Sequence, residues 1–248
     1  MAKWSVLLLT WLVAATVRAE TLSVVIEQYE PFAITNERGE LTGIGPDIAA
    51  ELSKLTGYQF DIAMYPLARI RELFALGKAD IALAESPPWW DKEVAKGYTF
   101  SEPYVHVYEY VYFPAGKVFP CTKPLDLAGK IVGIHHGYYY AAFDSLFKQG
   151  TVKVDESNSS HALLRKLLAG ETDAIFLDNF EFGFTVRKYG LASSSFERGM
   201  QLTDSPVSIM VRNNRKAVLA KLEPAIREIR ANGTVDRIVA RYVGAAPK

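Results

Sequence analysis

The stretch GPDIAAELSKLTGYQFDIAMYPLARIRELFALGKADIALAE, residues 45–85, holds four elements in a row. It opens on Gly-Pro, with proline at a first helical position, carries apolar residues at helical spacing and stops at Gly57. YQFDIAMYP then reads as a strand and LARIRELFALGKAD as a helix. DIALAE is the next strand, cut off by Pro87-Pro88. Upstream, TLSVVIEQYEPF is a β-branched run that ends near Glu27 and breaks at Pro31. Strands that alternate with helices of this length predict an α/β fold with largely parallel sheets.

The pattern repeats downstream. GKIVGIHHG, residues 129–137, predicts a strand that leads into a helix over YYAAFDSLFKQG. TVKVDES and AIFLD are further strands, and SSHALLRKLLAGETD is the helix between them. Two extended stretches separate the halves: YVHVYEYVYF crosses out and SPVSIMVRNN crosses back, near residues 106–112 and 203–208. Two helices close the chain.

The N-terminus reads as a secretory signal. Lys3 supplies the positive charge, Trp4 to Val17 is almost unbroken apolar sequence, and Val17-Arg18-Ala19 fits cleavage after Ala19. Loss of Lys3 and Arg18 leaves 26 basic against 28 acidic residues, near −2. That balance gives no footprint for nucleic acid or an anionic membrane surface. Cys121 is the single cysteine, so no disulfide can form within the chain. Dinucleotide, P-loop and metalloprotease motifs do not occur. His135-His136 is a poor metal site, because neighbours at a strand end point to opposite faces and only two other histidines exist. No cofactor and no metal are expected.

The motifs YEPF, GELTGIGPDIAAELSKLTG, LFALGKADIAL, FSEPY, LAGKIVGIHHG, LLAGETDAIFLD and IRANGTVDRIVARYVG resemble, in order, the solute-binding proteins of polar amino acid ABC importers. These form the bacterial extracellular solute-binding protein family 3, and this chain is similar to a divergent member. The resemblance implies the two-lobed periplasmic-binding-protein fold of type II, with two crossing hinge strands. Its expected units are a signal peptide at 1–19, a first lobe of 20–108 plus 206–248, and a second lobe of 109–205. It also implies a non-enzymatic, monomeric periplasmic protein that closes on a small ligand and delivers it to an ABC permease in the inner membrane. Sensing for a membrane receptor, or a dehydratase-like enzyme on the same fold, are the alternatives.

Ligands of open α/β sheets sit beyond the carboxyl ends of the strands. Those ends offer Glu27 and Tyr29, then Arg69, then Glu85, and in the second half His136, Tyr138, Tyr139 and Asp178. A carboxylate that ends an apolar strand makes Asp178 the leading candidate, and the resemblance implies that it receives the ligand's amino group; the alternative is an Asp that caps a local turn or helix. Tyr29 matches an aromatic that packs on family ligands, or else is core. The family's arginine before the FS-x-P-Y motif is missing here, where SPPWWDKEVAKGYTFSEPY contains none. Arg69, in Pro66-Leu67-Ala68-Arg69, is the candidate anion partner, against a solvated helix charge. Of the two histidines, His136 is expected to face the cleft. Tyr138 and Tyr139 are expected to crowd the helix N-terminus there, favouring a planar or elongated and cationic ligand, while Tyr140 is core. Trp89-Trp90 reads as a surface loop folded back on its lobe, with a cleft-edge clamp as the alternative.

Overall fold

The structure, a computed structural model, describes residues 19–90 and 92–244. The expected signal peptide lies outside them except for Ala19. Strand β1 (Thr21–Glu27) buries Leu22, Val24, Val25 and Ile26, so both of its faces are covered. A small hairpin, β2 (Ile34–Thr35) and β3 (Leu41–Thr42), precedes helix α1 (Ile44–Thr56). Gly57 ends α1 in the left-handed conformation, φ 74°, and its N–H bonds the Ser53 carbonyl. Strand β4 (Gln59–Tyr65), helix α2 (Leu67–Ala75) and strand β5 (Ile81–Glu85) follow as the sequence predicts.

β1 lies between β4 and β5 and is parallel to both. Their Ile, Val and Leu side chains pack on one side against α1 and two late helices, α7 (Leu219–Ala231) and α8 (Thr234–Val243). The other side packs Ile70, Phe74 and Trp90. A short helix, α3 (Lys92–Ala95), and strand β6 (Tyr98–Phe100) complete this half.

The chain leaves through β7 (Val105–Pro114) and enters a second α/β unit. That unit contains β8 (Ile131–His135), α4 (Asp144–Lys148), β9 (Lys153–Ser157), α5 (Ser160–Ala169), β10 (Ala174–Asp178) and α6 (Asn179–Lys188). The return path is β11 (Phe196–Arg212), which pairs antiparallel with β7 in the second half and with β5 and β6 in the first. The parallel pairings predicted within each half are therefore joined by an antiparallel ribbon. The two expected lobe boundaries fall on that ribbon, where Tyr108 pairs with Asp204 and Val107 with Ser205.

One predicted helix is mostly absent. Residues 138–140 take no regular structure, 141–143 form a turn, and only Asp144–Lys148 is helical. Three consecutive aromatic rings are poor helix formers, and Tyr140 and Phe143 are drawn into the core against Phe176 instead.

Gly43 precedes α1 at φ 127°, and a Cβ there would lie 2.5 Å from the Phe32 carbonyl oxygen. Gly43→Ala should therefore cost about 2 kcal/mol or more. Gly57→Ala meets nothing within 4 Å and should cost about 1 kcal/mol from its positive φ alone. Urea denaturation of both variants checks the order.

Candidate functional site

The carboxyl ends of β1, β5, β8 and β10 converge where the two halves meet. Asp178 ends β10 and is the N-cap of α6: its Oδ1 accepts from the backbone N–H groups of Phe180 at 2.7 Å and Glu181 at 2.9 Å. Its Oδ2 accepts from the Tyr29 hydroxyl at 2.5 Å, across the boundary between halves. Of the two readings of Asp178 from sequence, the helix cap is seen at Oδ1, while Oδ2 is turned toward the other half. The contact is reinforced by a stack of Phe32 on Phe180, 5.8 Å between centroids, and by a Lys188–Glu30 ion pair of 2.8 Å.

A second carboxyl belongs to the same group. Glu181, 4 % exposed, pairs with His135 Nε2 at 2.9 Å and accepts from the Ser160 hydroxyl at 2.9 Å. Burial would raise the Glu181 carboxyl, but the His135 charge and these hydrogen bonds outweigh it and hold it below the usual range. Burial lowers His135, and the surrounding carboxylates, Glu181 first, more than reverse it. Asp178 goes the other way. Burial, the neighbouring Glu181 charge and a side-chain hydrogen bond with Glu181 push it well above the carboxylate range. A proton therefore resides on Asp178 before it resides on Glu181.

Glu27, Glu85 and Glu109 extend the cluster. Glu109 is the β7 partner of Asp178 in the sheet register and accepts from the Tyr140 hydroxyl at 2.7 Å. Burial pushes its carboxyl up to about 7. Burial and the Glu181 charge push Glu27 to about 7, with Arg71 and His135 opposing. Glu85, 3 % exposed, rises to about 8 through burial and the Glu27 charge. Its Oε2 accepts from Trp90 Nε1 at 2.7 Å, while its Oε1 is buried without a partner. Ala84, just before it, has φ 56° at a shift in the β5–β11 register, so the strand is bent where it presents Glu85.

The remaining predicted residues are placed as follows. Tyr138 is half-buried beside His135, 5.1 Å between rings, in the field of Glu27, Glu181, Asp178 and Glu109. Tyr139 does not share this position: it is 71 % exposed and turned to solvent. The order expected of the histidines is reversed. The His136 side chain is 70 % exposed and pairs with Glu156 at 2.5 Å, whereas His135 points inward. Arg69 lies on the outer face of α2, paired with Glu72 at 2.6 Å, and Arg71 is the guanidinium whose charge reaches Glu27 and Glu85. Tyr140 is buried, as expected. The tryptophans are no surface loop. Trp90 is core, and Trp89 sets its ring edge-on against Tyr29 and donates to the Ser205 hydroxyl at 3.1 Å.

Sequence reasoning missed Glu181, Glu109, His135, Ser160 and Arg71. Glu181 carried a readable signal: Asp178-x-x-Glu181 has the spacing of a helix N-cap and its third residue.

Residues 22–245 match the model of the bacterial extracellular solute-binding proteins, family 3. The chain belongs to that family. It is 24 % identical over 243 residues to the arginine-binding periplasmic protein of Mannheimia haemolytica, covering 96 % of this chain and 98 % of that one. It is 26 % identical over 217 residues to the L-cystine-binding protein TcyJ of Escherichia coli (strain K12), covering 88 % and 80 %. A histidine kinase sensor domain with similarity to periplasmic binding proteins superimposes with a TM-score of 0.74 at 18 % identity, over 93 % of this chain and 99 % of that one. The type II binding-protein fold is thus the fold of this family 3 chain, and the two relatives from Mannheimia haemolytica and Escherichia coli are named as binding proteins. No helix among the described residues is long and apolar enough to cross a membrane.

The raised carboxyls set a pH dependence for the ligand-free protein. Their folded pKa values exceed the unfolded value near 4.5, so between about 4.5 and 8 the native state binds more protons than the unfolded chain. Stability is then highest near pH 5 and falls as pH rises through 7 to 8. Urea melts from pH 5 to 9 should show this loss, and Glu85→Gln, which keeps an oxygen for Trp90, should flatten it and stabilise the protein at pH 8.

Proposed function

We propose that this family 3 protein binds a small polar solute, an amino acid or related compound, in the cleft between its lobes for ABC-type import. Residues 20–108 with 206–248 act as one lobe and 109–205 as the other. The β7–β11 ribbon is the hinge, and the ligand stabilises the closed form by touching both lobes. The protein works as a monomer in the periplasm, after cleavage behind Ala19, and hands its ligand to a permease in the inner membrane.

The observation that carries this reading is the Tyr29–Asp178 hydrogen bond. A carboxylate at the end of an apolar strand meets a group from the other lobe there, so an ammonium group at the same place would be held by both. Glu27, Tyr29, Glu85, Tyr138 and Asp178 are the ligand contacts we assign, with His135 and Glu181 holding the second-lobe wall. His136, Tyr139 and Arg69 face outward here and could reach a ligand only after local rearrangement. The relatives named for arginine and cystine set the first solutes to try. The kinase sensor domain shares the fold, which serves transport and sensing alike and does not choose between them.

The test is a thermal-shift screen of amino acids and amines, followed by Asp178→Asn. A solute at a hundredfold excess over its Kd should raise the parent's melting temperature by roughly 5–10 °C. Asp178→Asn keeps an oxygen for the α6 cap, so its ligand-free melting temperature should stay within about 4 °C of the parent. It should lose most of the ligand-induced rise. An undiminished rise would make Asp178 a structural cap only and remove the site from this place.

A further inference from the structure

The acidic groups gathered at the lobe boundary outnumber the basic ones. Five carboxyls meet there, from β1, β5, β7, β10 and α6, and the basic groups whose fields reach them are His135 and Arg71. His135 is already paired with Glu181. Arg71 is exposed, and its charge is divided between Glu27 and Glu85.

Donors are short in the same place. Among the described residues, none hydrogen-bonds the Glu27 carboxyl. The Glu85 side chain is 97 % removed from solvent, with one oxygen unpartnered and Glu27 as the like charge acting on it. A buried carboxylate oxygen without a donor costs free energy that a bound N–H would recover. On the facing lobe, Asp178 is held by the hydroxyl of Tyr29, a neutral donor that a cationic one would outcompete. Tyr138 lies in the field of Glu27 from one lobe and of Asp178 from the other, so an aromatic ring stands near both acid groups. Positive charge is therefore wanted on both lobes. A ligand carboxylate would be a sixth acid in this cluster, facing only a shared and solvated guanidinium.

We propose that the cleft selects a small organic dication without a carboxylate, an aliphatic diamine or amino-guanidine, with one cationic end at Glu27 and Glu85 and the other at Asp178. This rests on the solute-binding reading above and narrows it. Such a ligand replaces protons held by the cluster, so binding releases protons near neutral pH and strengthens as pH rises from 6 to 8.

Matched pairs that differ only in the carboxylate test this directly. Agmatine against L-arginine and cadaverine against L-lysine are titrated by calorimetry at pH 8, with pentylamine as the monocation control. Each decarboxylated member should bind at least about tenfold tighter than its amino acid, and cadaverine at least about tenfold tighter than pentylamine. Glu85→Gln should weaken agmatine by about tenfold while melting no lower than the parent at pH 8. If arginine or lysine binds as tightly as its decarboxylated partner, the selectivity proposed here is wrong and solute binding stands. If pentylamine equals cadaverine, the second cationic contact is wrong. Should no amine, amino acid or other small solute shift the melting temperature, the solute-binding reading falls as well.

Discussion

Five carboxyl groups share one boundary between two lobes, and the low dielectric there does not let them ionise together. Each is brought by a different element, and four of them sit at carboxyl ends of strands or in the first turn that follows, while Glu109 lies mid-strand on β7 opposite Asp178. The fold forces this convergence, because strands of a parallel sheet all end on the same side. The system settles its charge by division. Glu181 keeps its charge because His135 supplies a counter-ion, and Asp178 next to it takes the proton instead. Glu85, without an ion partner in contact, is held neutral into mildly alkaline pH.

The same boundary is held closed by groups with little to do with charge. Tyr29 stacks on Phe32 and Phe32 on Phe180, so an aromatic column runs from the loop after β1 into the first turn of α6. Trp89 braces Tyr29 from the side and ties to Ser205 on the returning strand of the ribbon. Aromatic packing of this kind is favourable whatever the protonation state, whereas the acid cluster favours closure only while it carries few charges. Closure and charge are thus opposed in the empty protein, and a cation between the lobes would remove the opposition.

Much of the fold was legible in the sequence. Hydrophobic runs, Gly57 and the prolines placed the strands of both lobes and α1, because these signals are local. The orientation of side chains at strand ends was not legible. β8 is buried on both faces, so the run Ile131-Val132-Gly133-Ile134 has no alternation from which to say whether His135 or His136 points inward. Arg69 and Arg71 posed the same problem on α2. Two residues apart on a helix they point to nearly opposite sides, and the proline motif could not show that Glu72 would hold Arg69 outside. The tyrosine run misled because a helix was expected where the rings turned the chain instead. Glu109 was hidden for a different reason: its place opposite Asp178 depends on the β7–β10 register, a long-range pairing that no local pattern encodes.

Affinity in such a cleft depends on the difference between two closed states rather than on the contacts of one. The aromatic column and the Tyr29–Asp178 bond exist without a ligand, so a ligand gains nothing from forming them. What it can gain is relief of the burial cost at Glu27, Glu85 and Asp178, whose carboxyls are all pushed above the ordinary range in the empty protein. A neutral solute leaves that cost in place and must break the tyrosine contact for little return. A monocation satisfies one lobe and leaves the other acid group as it was. Only a ligand charged at both ends relieves both lobes at once, and the span between Glu85 and Asp178 then acts as a ruler for its length.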